Sequence, residues 1–287
     1  YAAYFGDLAA NVHALDAQTG KELWTVQADK HPLARITGAP KFHDNRLYVP
    51  VTSLEEAGGG EATYGCCTFR GNVVALNATT GKQIWKTYTI QKKLKPTWKN
   101  AKGVQQYGPA GAGVWASPTL DTERGVLYAT TGDDYADPPS NASDAIIAMS
   151  MKTGKIQWIT QCLKGDAFNI ACTAADKSNC PKANGPDLDF GSSPILRIMS
   201  DGKRRVLAGQ QSGMVHAVDA DNKGKFLWQK RVGKGGLIGG IQWGPAADNN
   251  QIYVALSDIG VKLVEDPEIG SKSELDSTVG GGMFAYS

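Results

Sequence analysis

Short apolar runs alternate with polar, glycine-bearing turns along nearly the whole chain, and the alternation repeats itself. Residues 11–24 (NVHALDAQTGKELW) are echoed by residues 72–85 (NVVALNATTGKQIW), 145–158 (AIIAMSMKTGKIQW) and 214–228 (MVHAVDADNKGKFLW), the last with one residue inserted in its turn. Each copy predicts an apolar strand, a Thr-Gly or Lys-Gly turn, and a second strand that ends in tryptophan, which is a β-hairpin with its turn chemistry in place. Further strand-like runs lie between the copies, at residues 46–51, 125–130, 205–208 and 251–256. One such unit cannot bury both of its faces, so copies stacked radially are the economical arrangement. The predicted fold is all-β, a β-propeller in which the repeated tryptophans pack between blades.

The repeat tryptophans Trp24, Trp85, Trp158 and Trp228 are more widely spaced than a bare four-stranded blade needs, which predicts long inserted loops that carry function. Residues 282–287 match the start of a copy without its turn. The expectation is a single partial propeller domain over residues 1–287, truncated at both ends and about half of an eight-bladed ring.

Composition narrows the classes. The 34 glycines and 13 prolines suit many tight turns. Thirty basic against 28 acidic residues leave no polyanion footprint, so nucleic acid is not an expected partner. No apolar stretch has the length of a membrane span. Five cysteines show no Cys-x-x-Cys spacing. Cys172 and Cys180 flank a polar loop that a disulfide would staple, which suits an oxidising compartment, and Cys162 is expected as a buried free thiol. Cys66 and Cys67 are adjacent.

The motif Ala-x-Asp-x-x-Thr-Gly-Lys-x-x-Trp resembles the tryptophan-docking repeat of the quinoprotein alcohol dehydrogenases, and the resemblance covers essentially the whole chain. Four blocks in order are similar to the branch acting on polyvinyl alcohol: residues 36–40 (ITGAP), 53–56 (SLEE) followed by 64–71 (YGCCTFRG), 108–115 (GPAGAGVW), and 239–244 (GGIQWG).

The resemblance implies pyrroloquinoline quinone (PQQ) as cofactor and a calcium ion beside it, with a lanthanide kept open. Glu56 matches the family's metal-ligating glutamate beyond a quinone-contacting serine, here Ser53, with Glu55 as the fallback. Asp133 stands where the family carries an asparagine ligand. Asp189 matches the catalytic base, with Asp187 as runner-up, and the spacing of the pair matches the lanthanide-binding branch. Trp115 resembles the floor on which the quinone stacks, 18 residues before Asp133 as the family spacing requires. Thr37, Ser53 and Arg70 are candidate donors to the quinone, and Trp243 lies in a block that approaches the site in related propellers. The family's capping vicinal disulfide corresponds to Cys66 and Cys67, although here the pair follows the glutamate block instead of preceding it. Gln211 replaces a family lysine or arginine, which keeps hydrogen-bond donors and loses a positive charge.

The implied activity is oxidation of secondary alcohol groups, with polyvinyl alcohol as a candidate substrate, to ketones, and passage of electrons to a cytochrome c in the periplasm. No Cys-x-x-Cys-His haem site occurs in this sequence. The alternative is a non-catalytic propeller scaffold of the outer-membrane assembly type. Residues 92–102 (KKLKPTWKNAK) form a basic loop, read as a solvated face or a docking site.

Overall fold

The computed structural model describes residues 1–266, 270–276 and 278–286. Antiparallel sheets follow one another along the chain as propeller blades. The first blade contains Ala2–Gly6, Asn11–Asp16 and Glu22–Gln27. The second contains Lys41–His43, Arg46–Ser53, Asn72–Asn77 and Gln83–Tyr88, and the short Ala34–Arg35 strand pairs with the far end of Arg46–Ser53. The third runs through Thr119–Asp121, Val126–Thr130, Ala145–Ser150 and Ile156–Gln161, and the fourth through Ile195–Ile198, Arg204–Gly209, Met214–Asp219 and Lys225–Arg231. A fifth contributes Ala246–Ala247, Ile252–Leu256 and Gly282–Tyr286, with an extra hairpin, Gly260–Asp266 and Gly270–Asp276, inserted within it.

The repeat dictates the blade. In each of the first four blades an alanine pairs across the strands with the repeat tryptophan: Ala14 with Trp24, Ala75 with Trp85, Ala148 with Trp158 and Ala217 with Trp228. The register slips by one residue just after each of these alanines, a bulge that recurs from copy to copy and sharpens the local twist. The turn closes on an aspartate or asparagine: Asp16 Oδ1 accepts from the N–H groups of Gln18 and Thr19, and Asn77 Oδ1 does the same for Thr79 and Thr80. In the fourth copy the inserted residue is absorbed by a single 3-10 turn, Ala220–Asn222, with Lys223 in the left-handed region at φ 50°.

Seams between blades follow from the same residues. The turn glycine of one blade faces the tryptophan of the blade before it. A Cβ on Gly81 would lie 2.9 Å from the Trp24 ring, on Gly154 2.6 Å from Trp85, and on Gly224 2.5 Å from Trp158. The indole N–H groups of Trp24 and Trp85 donate to Ala78 O and Met151 O at 3.1 and 3.2 Å. Between the seams the inner strands are buried on both sides. Val74 and Leu76 face the first blade, whereas Val73 and Ala75 face the third, so strand Asn72–Asn77 reads as a continuous apolar run. Four apolar clusters of this kind join the five blades in succession.

Two inserted loops shape the cavity end of the blades. The segment after Arg46–Ser53 forms a one-turn helix, Glu55–Gly58, and returns through the Cys66–Cys67 pair. The segment after Ile156–Gln161 makes a long excursion closed by the Cys172–Cys180 disulfide, the pairing the sequence predicts, while Cys162 is free as expected but only half-buried. The basic segment forms a strand, Lys95–Lys99, paired with Gln105–Gly108. Among the described residues no helix is long and apolar enough to cross a membrane.

Candidate cofactor and metal site

Loops from successive blades converge on a cavity of about 560 Å³. Its lining includes Thr37, Glu56, Trp115, Asp187, Asp189, Gln211 and Trp243, joined by Ser117, Ser192 and Gln242. At its base, ligand atoms of Asp133, Asp187 and Asp189 lie within 4.8 Å of one another.

Local structure explains this convergence. Strand Val126–Thr130 runs into a turn fixed by Thr131, whose hydroxyl donates to Ala142 O at 2.6 Å and accepts from Ala145 N–H at 3.0 Å. Gly132 follows, and a Cβ there would lie 2.6 Å from the Asp189 carboxyl carbon, so glycine is needed for the close approach. Asp133 N–H then donates to Asp189 Oδ1 at 2.7 Å. Gln211 holds Asp189 by its backbone: Asp189 N–H donates to Gln211 Oε1 at 2.9 Å, and Gln211 N–H to Asp189 O at 3.0 Å. Asp187 takes a left-handed φ of 56°, and its N–H donates to Asp166 Oδ1 at 3.3 Å. Thr37 Oγ1 donates to Trp115 O at 2.7 Å, which ties the cavity's aromatic wall to the loop after the first blade.

Burial and mutual repulsion dominate the electrostatics. Burial, then the Asp189 charge, push Glu56 up to about 8. Burial followed by Asp189, Glu56 and Asp166 lift Asp187 to about 9. Asp133 is raised well above the carboxylate range by burial and then by Asp189. Asp189 is lifted by burial only to about 6, because Asp133 N–H and the Trp115 indole hold it down. The Trp115 Nε1 has no hydrogen-bond partner within normal geometry, and it faces this carboxyl. Asp133 Oδ1 is likewise buried without a partner. Four carboxyl groups that oppose each other's ionisation, one with an orphaned oxygen, are what a hard cation relieves. The all-oxygen donor set therefore fits calcium or a lanthanide, and not a metal that favours nitrogen or sulfur. The cavity's volume, its indole wall and its ring of hydroxyl and amide groups fit a flat, acidic ring system.

Other residues expected at the site lie elsewhere. Glu55 is sealed below the cavity. Burial opposes its charge, but His31 and the N–H groups of Phe69 and Thr68 overcome that and hold its pKa below the usual value. Its carboxylate accepts from Phe69 N at 2.6 Å and from Tyr64 OH at 2.8 Å. Ser53 is buried and accepts from Glu55 N–H at the start of the short helix. Cys66 and Cys67 are joined and buried, and neither lines the cavity. Arg70 lies over the Tyr88 ring at 4.0 Å and donates to the carbonyls of Ile90 and Lys92, away from the cavity. Conversely, Gln242, Ser117 and Ser192 line the cavity although the sequence singles out none of the three as a site residue. Gln242 sits inside the GGIQWG block, and the serines adjoin Trp115 and Asp189 in sequence, so neighbourhood to motif residues was the available signal.

The repeated blades and the acid-lined cavity at their loop ends define a repeat propeller with one charged cleft. A family profile described as outer membrane protein assembly factor BamB matches residues 8–258. A polyvinylalcohol dehydrogenase of a Pseudomonas species is 44% identical over 90% of this chain and 40% of its own length. Another, from a Sphingopyxis species, is 41% identical with the same two coverages. Among solved structures, the quinohemoprotein alcohol dehydrogenase from Comamonas testosteroni superposes with a TM-score of 0.64 at 20% identity, over 99% of this chain and 49% of that one. The chain belongs to the repeat-propeller family that this profile describes, and nine-tenths of it is similar to the two polyvinylalcohol dehydrogenases. It spans about 40% of the length of the curated relatives it matches.

Proposed function

We propose that the protein of which this chain forms part oxidises secondary alcohol groups to ketones with PQQ and a metal ion, and that polyvinyl alcohol is a substrate. The observation that carries this reading is the meeting of Asp187, Asp189, Glu56 and Trp115 in one cavity, with Asp133 buried against the aspartate pair. Family membership and the names of the two relatives above 40% identity support it. A scaffold propeller gives no reason to bury mutually repelling carboxyls, whose cost is useful only where a cation or a reaction needs them.

Asp133, Asp187 and Glu56 would hold the ion, calcium or, given so many carboxylates, a lanthanide. Trp115 would supply the face against which the ring system lies, and Thr37, Gln211 and Trp243 would border it. Asp189 accepts the hydroxyl proton. Its pKa, lifted only to about 6, leaves it ionised at neutral pH yet more basic than an ordinary aspartate, as a general base requires. When bound, the quinone supplies a two-electron acceptor for the hydride from the alcohol carbon, and the metal ion polarises it as a Lewis acid. Electrons then pass to a cytochrome c. The Cys172–Cys180 disulfide supports a periplasmic setting.

The test is reconstitution of the full-length protein with PQQ and calcium or lanthanum, followed by dye-linked oxidation of 2-propanol and polyvinyl alcohol. Asp189→Asn should lower turnover by about 10²–10⁴-fold while quinone remains bound by its absorbance. A wild-type protein that retains no quinone and leaves the dye oxidised would hand the case to the scaffold reading.

A further inference from the structure

Glu56 and Asp133 come from different blades, and neither is held at the cavity by its own blade's sheet. Glu56 sits on a helix of a single turn, Glu55–Gly58, in the second blade's loop. Asp133 lies beyond the end of the third blade's Val126–Thr130 strand. The excursion over residues 166–184 touches Asp133 and the chain that leaves the Glu56 helix.

Its contacts are buried and specific. Phe168 N–H is shared between Asp134 O at 2.8 Å and Asp133 Oδ2 at 2.9 Å, so the excursion's backbone orients the Asp133 carboxylate directly. The Asn169 side chain, fully buried, donates to Tyr135 O and to Asn179 O, both at 3.0 Å. The Asn179 amide, 4% exposed, donates to Gly59 O, Glu61 O and Tyr64 O at 3.0, 2.9 and 3.3 Å, and its oxygen accepts from Asn100 at 2.7 Å. Gly59 is the residue on which the short helix ends, three beyond Glu56, and Glu61 and Tyr64 belong to the loop that continues from it. Gly59 permits the approach, because a Cβ there would lie 2.9 Å from the Asn169 side chain. Asn179 is itself inside the small loop closed by Cys172–Cys180.

We infer that Asn169 and Asn179, presented by this disulfide-closed excursion, are positioning residues for the cation site, setting the Glu56 helix in register with Asp133 across two blades. The inference rests on the proposed role of the carboxylate cluster. Neither asparagine touches the cavity. Their effect runs through a one-turn helix too short to fix its own orientation and through a carboxylate whose second oxygen has no other partner. Groups behind a metal's ligands, when removed, typically cost 10–100-fold in metal affinity.

The experiment uses the full-length protein freed of metal, with terbium luminescence as the probe of the cluster and calcium as competitor. Asn179→Ala and the isosteric Asn179→Asp, which has no N–H to give the three carbonyls, should weaken terbium binding by about 10–100-fold. Gly154→Ala, which strains a blade seam far from the cluster, serves as a control that lowers the metal-free melting temperature and leaves terbium affinity unchanged. If the Asn179 variants do not fold, Cys172→Ser/Cys180→Ser opens the loop without altering a buried amide, and it should weaken terbium binding by about 10-fold. Affinity equal to wild type in the folded variants, or in the double cysteine variant where it replaces them, overturns the positioning role. Wild-type protein that binds neither cation overturns the carboxylate-site reading, and the positioning role with it.

Discussion

Trp85 and Trp115 put the same side chain to opposite uses. At the seam between the second and third blades, Trp85 lies against Gly154, tilts toward Tyr48 at 6.0 Å, and donates its N–H to Met151 O. Everything polar about that indole is answered by the next blade. At the cavity, the Trp115 N–H has no partner within bonding geometry and points toward a carboxyl already crowded by others. The seams are repeated and self-satisfied, whereas the cavity is unrepeated, charged and incomplete by itself. Stability and function are thus assigned to different parts of the blade: strand faces hold the molecule together, and loop tips carry unpaired groups that only a bound species completes.

That division predicts its largest stability effect at a seam. Gly154→Ala places a methyl group 2.6 Å from the Trp85 ring at a residue whose φ is 72°. Overpacking and left-handed strain together should cost about 3–4 kcal/mol. Gly125→Ala has nearly the same φ, 65°, with nothing within 4 Å of the added carbon. It should cost only about 1–2 kcal/mol. Chemical denaturation of the two variants compares them directly. Equal losses would mean that tryptophan–glycine contact does not lock the blades.

This seam was only half legible in the sequence. The copies at residues 11–24, 72–85, 145–158 and 214–228 disclose the hairpin, its turn and its tryptophan, because those features are local and recur. That Trp24, Trp85 and Trp158 each meet the glycine of the following copy is a relation between neighbours, which a period does not state. The cavity divided similarly. Asp133, Asp187, Asp189 and Trp115 are marked by spacing that matches a known family, and the structure brings them together. The position after Ser53 favours Glu56 over Glu55 in the sequence, and adjacent residues on one helical turn face different ways. One meets the cavity and the other is absorbed by Thr68, Phe69 and Tyr64. Arg70 joined the site by nearness in sequence, but its guanidinium is drawn over Tyr88 and toward backbone carbonyls.

A smaller effect sharpens the contrast from within a blade. His216, 2% exposed in the fourth blade, is satisfied as the neutral ring: Gln229 donates to Nδ1 at 2.9 Å and Nε2 lies 3.2 Å from Gln210 Oε1. Burial pushes its pKa down to about 4. Between pH 6.5 and 4 the unfolded chain binds a proton that the folded one does not, so stability falls as pH falls through that window and levels below it. Between about pH 7 and 5 the loss from this residue should be about 2 kcal/mol. His216→Gln should flatten that part of the stability curve. An unchanged slope in the variant would place the acid sensitivity elsewhere.

The last effect is smaller still and opposite in sign, which makes it the sharpest test of the division. Asp187 is crowded by Asp189, Glu56 and Asp166, and its side chain is nearly buried. Asp187→Asn keeps the shape and removes one of the repelling groups. With chelator present it should raise unfolding free energy by about 1 kcal/mol, in the range by which like charges in contact destabilise. With calcium or lanthanum added, the wild type should gain stability by mass action while the variant gains less, because a ligand has gone. The two curves should therefore cross as cation is titrated in. A seam residue offers no such crossing, since its interactions are already complete. Were Asp187→Asn to destabilise the cation-free protein, the carboxylates would be supporting the fold instead of opposing it, and the separation between seam and cavity would not hold.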